Sequence, residues 1–132
     1  MRTPPVVLVV EDNAELRHVL KEALGSEGYQ VLAARDDAEA LEVLRGTHVD
    51  LLISDLSDPS QSEEALDGVR QEFPNLPVVA LSASTGYHPT LFFAAWQAPR
   101  GYRTLSKPFR LGELLAVSRE VLAEGPGGQP RL

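Results

Sequence analysis

The sequence between residues 6 and 13 reads VVLVVEDN, five apolar residues followed at once by three polar ones. Four of the five are valine, and an unbroken apolar run of this length is typical of a strand buried on both faces of a parallel sheet. The next segment predicts a helix, because apolar residues recur at helical spacing from Leu16 to Leu24 and Asp12 or Asn13 can cap its start. The unit is therefore a strand, a tight turn and a helix.

The same unit recurs along the rest of the chain. Further strands are predicted at residues 30–33, 51–54, 78–81 and 103–105. Further helices are predicted at residues 37–44, 62–73, 90–97 and 111–122. Five strands that alternate with five helices through short loops indicate right-handed crossovers and a parallel sheet with helices on both faces. The pattern predicts one domain over residues 1–124 and a flexible tail, rich in Gly and Pro, over residues 125–132.

Composition and charge narrow the class of protein. The chain has 132 residues, of which 43% are apolar and 23% charged, as is typical of one globular domain. Its 12 basic and 19 acidic side chains give a net charge of −7, which argues against a module that binds nucleic acid through phosphate contacts. Cysteine is absent, which excludes disulfides and thiolate metal sites. The apolar run before Glu11 is too short for a signal peptide or a membrane span, so we expect a cytoplasmic protein without membrane insertion.

Polar residues stand just after four of the predicted strands. They are Glu11 and Asp12, Asp55, Ser82, and Lys107, in chain order. In a parallel α/β sheet, ligands bind outside the carboxyl ends of the strands, so these side chains are expected at one edge. Crowded carboxylates repel one another unless a cation neutralises them, and an all-oxygen set suits Mg²⁺. We therefore expect Mg²⁺ (or Mn²⁺) at this edge, with Ser82 and Lys107 facing a phosphoryl group.

Each of these residues also has a purely structural interpretation. Asp12 could be a helix cap, Asp55 could begin a turn, Ser82 could be a loop hydroxyl and Lys107 a solvated amine. Taken one at a time, the structural roles are the more common ones. Taken together they require chance to place acid, acid, hydroxyl and amine after the right strands in this order, which favours a shared site.

The same residues make the sequence resemble the receiver domain of two-component response regulators, up to about Glu124. The matching segments are residues 7–12, residues 50–56 with Pro59 beyond them, residues 81–83 and residues 106–109. The resemblance implies a flavodoxin-like, doubly wound (βα)5 fold with a five-stranded parallel sheet in the order 2-1-3-4-5 and helices on both faces.

The resemblance further implies a phosphoryl transfer. Asp55 would be the phosphoacceptor and would take a phosphoryl group from a phosphohistidine on a sensor histidine kinase or a histidine phosphotransfer protein. Ser82 and Lys107 would contact the phosphoryl oxygens, and the peptide bond between Lys107 and Pro108 would be cis. A receiver of this kind catalyses only its own phosphorylation and dephosphorylation, so we do not expect an enzyme acting on other substrates.

The resemblance also implies how the metal is bound. Asp12, Asp55 and the backbone carbonyl of Ser57 would bind Mg²⁺ directly, and Glu11 would act through water. A carboxylate is a competent nucleophile toward phosphorus once a cation shields the approach of two anions.

Two departures from the family pattern concern switching and partners. The family usually has an aromatic residue three positions before the lysine, where this chain has Thr104; Tyr102 shares its face of the strand by alternation and is a substitute switch candidate. In the fourth predicted helix, Phe92, Phe93 and Trp96 project from a second apolar face. Exposed aromatic patches commonly mark partner surfaces, so we expect a partner or a homodimer contact on the face formed by the fourth helix, the fifth strand and the last helix.

Three functions from different classes remain open. The first is a phosphorylatable receiver. The second is a receiver-like interaction module that works without phosphorylation, which Thr104 and Glu63, a position where Gly is common, favour. The third is a small Mg²⁺-dependent aspartyl phosphohydrolase, which is disfavoured because Ser57 stands two residues after Asp55, where such enzymes carry a second aspartate.

Overall fold

A computed structural model describes residues 3–56, 68–69, 71–82, 102–106 and 108–124 of the chain. The strands in these ranges are β1 Val6–Val10, β2 Gln30–Ala34, β3 Leu51–Leu56, β4 Val78–Ser82 and β5 Tyr102–Ser106. The helices are α1 Ala14–Ser26, α2 Asp37–Gly46 and the C-terminal helix Leu111–Glu124, and residues 68–69 and 71–72 are also helical.

The five strands form one sheet in the order β2-β1-β3-β4-β5, and every neighbouring pair is parallel. This order confirms the predicted fold class. The chain moves from β1 to one side for β2 and to the other side for β3, so the strand order reverses between β1 and β3. The carboxyl ends of these two strands are therefore the place where a ligand is expected in a sheet of this kind.

The sequence of β1 is apolar throughout because its side chains alternate between two faces that are both packed against helices. Val7 and Val9 pack into a cluster with residues of α1 and the C-terminal helix, among them Leu20 and Leu114. Leu8 and Val10 point to the other face and pack with residues of α2 and with Val69. Because both faces of the strand are covered, neither set of side chains can be polar.

The structure extends β3 beyond the predicted segment. The apolar run ends at Ile53, but Asp55 and Leu56 continue the pairing, level with Leu81 and Ser82 of β4. Backbone pairing carries on where the hydrophobic pattern stops, and a pattern of side chains alone does not report it. Asp55 consequently lies within a strand rather than in the loop after it.

Several predicted features lie outside the described residues. They are most of the third helix, the fourth helix with its aromatic residues, and the tail at residues 125–132. Within the described part of the chain, no helix is both long enough and apolar enough to cross a membrane.

Candidate functional site

The turn between β1 and α1 carries the first two acidic residues. Glu11 donates its backbone N–H to Ala34 O at 3.0 Å, which ties the end of β1 to the end of β2. Its side chain folds back, and Oε2 accepts the backbone N–H of Asn13 at 3.1 Å. Asn13 caps the helix, because its Oδ1 accepts the backbone N–H of Leu16 at 2.9 Å. The cap is thus Asn13, and the capping role considered for Asp12 is filled by its neighbour.

Arg17 reaches back over the same turn. Its Nη1 donates to the backbone carbonyl of Glu11 at 2.8 Å and lies 3.5 Å from the carbonyl of Asp12. Arg17 is not among the site residues predicted from the sequence, although one signal was available. Arg17 is the fourth residue of α1, where the helix dipole disfavours a cation, so an arginine at this position is a weak signal for a compensating contact.

The structure brings three carboxylates together at the edge where the strand order reverses. Glu11, Asp12 and Asp55 each offer one oxygen, and these atoms all lie within 4.8 Å of one another. Glu11 is buried, Asp55 is half-buried and Asp12 is exposed, so the cluster has a closed side and an open side. Asp55 reaches this position because Val10 at the end of β1 pairs with Ser54 of β3.

The electrostatics of the cluster favour a cation. Burial, a hydrogen bond with Asp55 and the negative charge of Asp55 raise the pKa of Glu11 from 4.5 to about 8, against the opposing effect of the Asn13 backbone N–H. The carboxylate charges are therefore not all tolerated without compensation near neutral pH. An all-oxygen donor set that is open to water on one side fits Mg²⁺, which keeps several of its waters.

The structure describes some of the remaining predicted site residues but not others. Ser82 ends β4, and its backbone pairs with Leu56 on one side and Ser106 on the other. Thr104 is half-buried in β5 and pairs with Ala80, whereas Tyr102 begins the strand and pairs with Val78. Tyr102 thus lies about 13 Å along the strand from the level of Ser82. Other predicted site residues lie outside the described ranges: Ser57, Phe92, Phe93, Trp96 and Lys107, and with Lys107 its bond to Pro108.

Comparison with known proteins supplies the family. The sequence profile of the response regulator receiver domain matches residues 7–119. The chain belongs to the response regulator receiver family. Receiver domains bind Mg²⁺ in general and interact with sensor histidine kinases, and their role is phosphoacceptor signalling.

Individual relatives agree with this family. The receiver is 33% identical over 120 residues to the DNA-binding transcriptional regulator NtrC of Bradyrhizobium, a match that covers 89% of this chain and 24% of the relative. It is 43% identical over 82 residues to the sensor histidine kinase TmoS of Ectopseudomonas mendocina, covering 60% of this chain and 8% of the relative. The receiver therefore spans a quarter or less of these curated relatives.

A solved structure matches the receiver over nearly its whole length. The crystal structure of a response regulator from Thermotoga maritima has a TM-score of 0.76 and 28% sequence identity. The match covers 91% of this chain and 98% of that one, so the two share the complete five-stranded fold.

Proposed function

We propose that this receiver accepts a phosphoryl group on Asp55, from a phosphohistidine of a sensor histidine kinase or a histidine phosphotransfer protein, in a Mg²⁺-dependent reaction. The observation that carries the proposal is the convergence of Glu11, Asp12 and Asp55 at the reversal of strand order. A cluster of three acids at this edge has a chemical use there, because a ligand is expected at such a point in the fold.

In the proposed site, Asp12, Asp55 and the backbone carbonyl of Ser57 hold the cation, and Glu11 acts through water. Bound Mg²⁺ would shield the negative charge of Asp55 from the incoming phosphoryl oxygens. Glu11 contributes its negative charge from the protein interior, because it is buried and its Oε2 accepts the backbone N–H of Asn13. Asp12 is on the solvent side, where a cation and its waters enter.

In the transfer, an oxygen of Asp55 attacks phosphorus, the bond between phosphorus and the histidine nitrogen breaks, and that nitrogen keeps the electron pair. We assign Lys107 to stabilise the charge on the phosphoryl oxygens and Ser82 to donate a hydrogen bond to one of them. The backbone supports this pairing of roles, since Ser82 lies level with Ser106, the residue before Lys107. The product, an aspartyl phosphate, is hydrolysed at the same site, so the receiver acts on itself and not as an enzyme on other substrates.

The proposed output surface is the face formed by the fourth predicted helix, β5 and the C-terminal helix. We expect a homodimer or a downstream partner to bind there, with Phe92, Phe93 and Trp96 at its centre. Thr104 lies in β5 where the family usually has an aromatic residue, so Thr104 or Tyr102 would have to report phosphorylation instead. Of the two, Thr104 lies nearer to the level of Ser82.

The test is the intact mass of the protein after incubation with acetyl phosphate, with and without Mg²⁺. We expect a single phosphoryl adduct that requires Mg²⁺ and is absent from Asp55→Asn. Asp50→Asn is the matched control, because Asp50 stands at the other end of the same segment and binds the backbone of Val6. An adduct that persists in Asp55→Asn, or none in the folded native chain, contradicts the proposal.

One observation favours a second function. Thr104 is half-buried and level with Ala80, so a small side chain stands where the family's switch residue would be. The alternative is an interaction module whose partner binding does not depend on phosphorylation. Partner or dimer affinity that is equal for the native chain and Asp55→Asn, with and without acetyl phosphate, would support it.

A further inference from the structure

We propose that Arg17 is a positioning residue for the metal site. Its guanidinium holds the main chain of the turn that carries Glu11 and Asp12, and in this way sets the affinity of the three carboxylates for a divalent cation. The inference rests on the proposed function, because it assumes that the cluster binds Mg²⁺.

The contacts of Arg17 span the whole turn. Its side chain donates to the carbonyl of Glu11 at 2.8 Å and approaches that of Asp12 at 3.5 Å. Its backbone N–H donates to the carbonyl of Asn13 at 2.9 Å, which closes the first turn of α1. Arg17 is half-buried, so its side chain is held against the protein rather than extended into water. The contribution specific to this side chain is therefore the bond to the carbonyl of Glu11, with the carbonyl of Asp12 at the limit of hydrogen-bond distance.

Those carbonyls matter because of where the acidic side chains must point. In extended chain, successive side chains leave the backbone on opposite sides, so Glu11 and Asp12 would diverge. To bring an oxygen of each within 4.8 Å of one on Asp55, the main chain must bend at these two residues. The Arg17 guanidinium donates to the carbonyl of Glu11 and lies 3.5 Å from that of Asp12, so it restrains the orientation of the peptide groups in the bend.

The direction in which Mg²⁺ affinity changes when Arg17 is removed distinguishes a positioning role from a purely electrostatic one. A guanidinium near a cation site repels the cation, so its removal should tighten Mg²⁺ binding if charge alone matters. If Arg17 positions the turn, its removal weakens Mg²⁺ binding in spite of the lost repulsion. Lys21 provides the matched control, because it is an exposed cation one turn further along α1.

The experiment is calorimetric titration of the full chain with Mg²⁺, well below the unfolding temperature. We expect Arg17→Met to weaken binding roughly tenfold, as for other residues that orient metal ligands. Arg17→Lys should recover part of the loss, because an ammonium can donate to one carbonyl. Lys21→Met should change the affinity by less than about twofold, because an exposed charge is screened. Amide hydrogen exchange of Asn13 should be faster in Arg17→Met, which reports the loosened turn directly.

Unchanged or tighter Mg²⁺ binding by Arg17→Met overturns the inference. If that variant does not fold, Arg17→Gln replaces it with the same criterion. The two proposals fail in different ways. A native chain that is phosphorylated with Mg²⁺ while Arg17→Met keeps its affinity refutes only the role of Arg17. A folded native chain that does not bind Mg²⁺ refutes both.

Discussion

Asp50 and Val6 are joined by two hydrogen bonds at the amino end of the sheet. Asp50 Oδ2 accepts the backbone N–H of Val6 at 2.8 Å, and the backbone N–H of Asp50 donates to Val6 O at 2.8 Å. His48 Nε2 lies 2.8 Å from the other carboxylate oxygen, Asp50 Oδ1. The aspartate therefore pins the start of β1 to the segment that leads into β3.

Replacing Asp50 with alanine should destabilise the fold. The backbone N–H of Val6 loses a charged acceptor, and we expect a loss of about 1–2 kcal/mol in the free energy of unfolding, measured by urea denaturation. Asp50→Asn keeps an acceptor oxygen and should lose less than half as much. His48→Ala should have little effect, because the imidazole is 80% exposed. Equal stability of Asp50→Ala and the native chain would show that the contact contributes nothing.

Substitutions at Asp12 and at Asn13 should affect metal binding and helix capping separately. Asp12 is exposed and does not cap α1, so Asp12→Asn should change the stability of the metal-free protein by less than about 0.5 kcal/mol. We expect Mg²⁺ to raise the melting temperature of the native chain, because a ligand that binds only the folded state stabilises it. In Asp12→Asn this rise should be lost, because the variant lacks one carboxylate of the cluster.

Asn13→Ala is expected to do the reverse. Removal of the cap should cost about 1 kcal/mol, while the rise in melting temperature with Mg²⁺ remains. Melting curves in Mg²⁺ and in a chelator measure both effects for both variants. If each variant lost both properties, the division of roles within the turn would be wrong.

The stability of the metal-free protein should fall with rising pH. Burial and the neighbouring Asp55 raise the pKa of Glu11 from its ordinary value of 4.5 to about 8 in the folded chain, so between these limits the folded state holds a proton that the unfolded state releases. Stability from this group is complete below pH 4.5 and is lost as the pH rises to about 8. The loss is a few kcal/mol at most, on the order of what such a shift represents.

Glu11→Gln tests this expectation, because it keeps the shape of the side chain and removes the titration. Urea denaturation in a chelator at pH 5 and pH 8 should show a smaller loss of stability for the variant than for the native chain. Mg²⁺ at pH 8 should restore stability to the native chain by neutralising the carboxylates. Parallel pH dependences for the two proteins would refute the assignment to Glu11.

Replacing Ser118 with alanine should stabilise the protein. Its side chain is completely buried in the C-terminal helix, and its Oγ has no hydrogen-bond partner among the residues that the structure describes. A buried unsatisfied hydroxyl costs about 1 kcal/mol or more, so Ser118→Ala should raise the free energy of unfolding by roughly that amount. Ser26→Ala is the control, since the exposed Ser26 Oγ donates to Ala23 O at 2.7 Å and its loss should not stabilise. A destabilised Ser118→Ala would mean that the hydroxyl is satisfied in solution.

The sequence allowed the fold to be predicted because both faces of the sheet are covered. An apolar run such as that of β1 is typical of a strand buried on both faces, and the spacing of Leu20 and Leu24 predicted the helix that covers one of them. The acids were found for a related reason: Glu11 and Asp12 directly follow an apolar run, and strand ends converge in a parallel sheet.

Other features were not visible in the sequence because they depend on contacts distant along the chain or on the backbone. The extension of β3 through Asp55 depends on pairing with Leu81 of β4. The hydrogen bond from Val6 to Asp50 spans 44 positions. The contact of Arg17 with the turn is made to backbone carbonyl groups. Every residue has such a group, so no sequence motif indicates the contact.

The side-chain contact at the start of β1 has a consequence for how the strand is aligned during folding. A strand that is apolar on both faces could slide by two residues along its neighbours and still bury its side chains, so hydrophobicity does not penalise that misalignment. The bond from the Val6 N–H to the Asp50 side chain exists in only one alignment, because a slip of two residues leaves no carboxylate level with Val6. Such a slip would move Glu11 by about 7 Å along the strand relative to Asp55. Asp50, at the end of the sheet opposite the acidic cluster, thus helps to select the register in which Glu11, Asp12 and Asp55 come together.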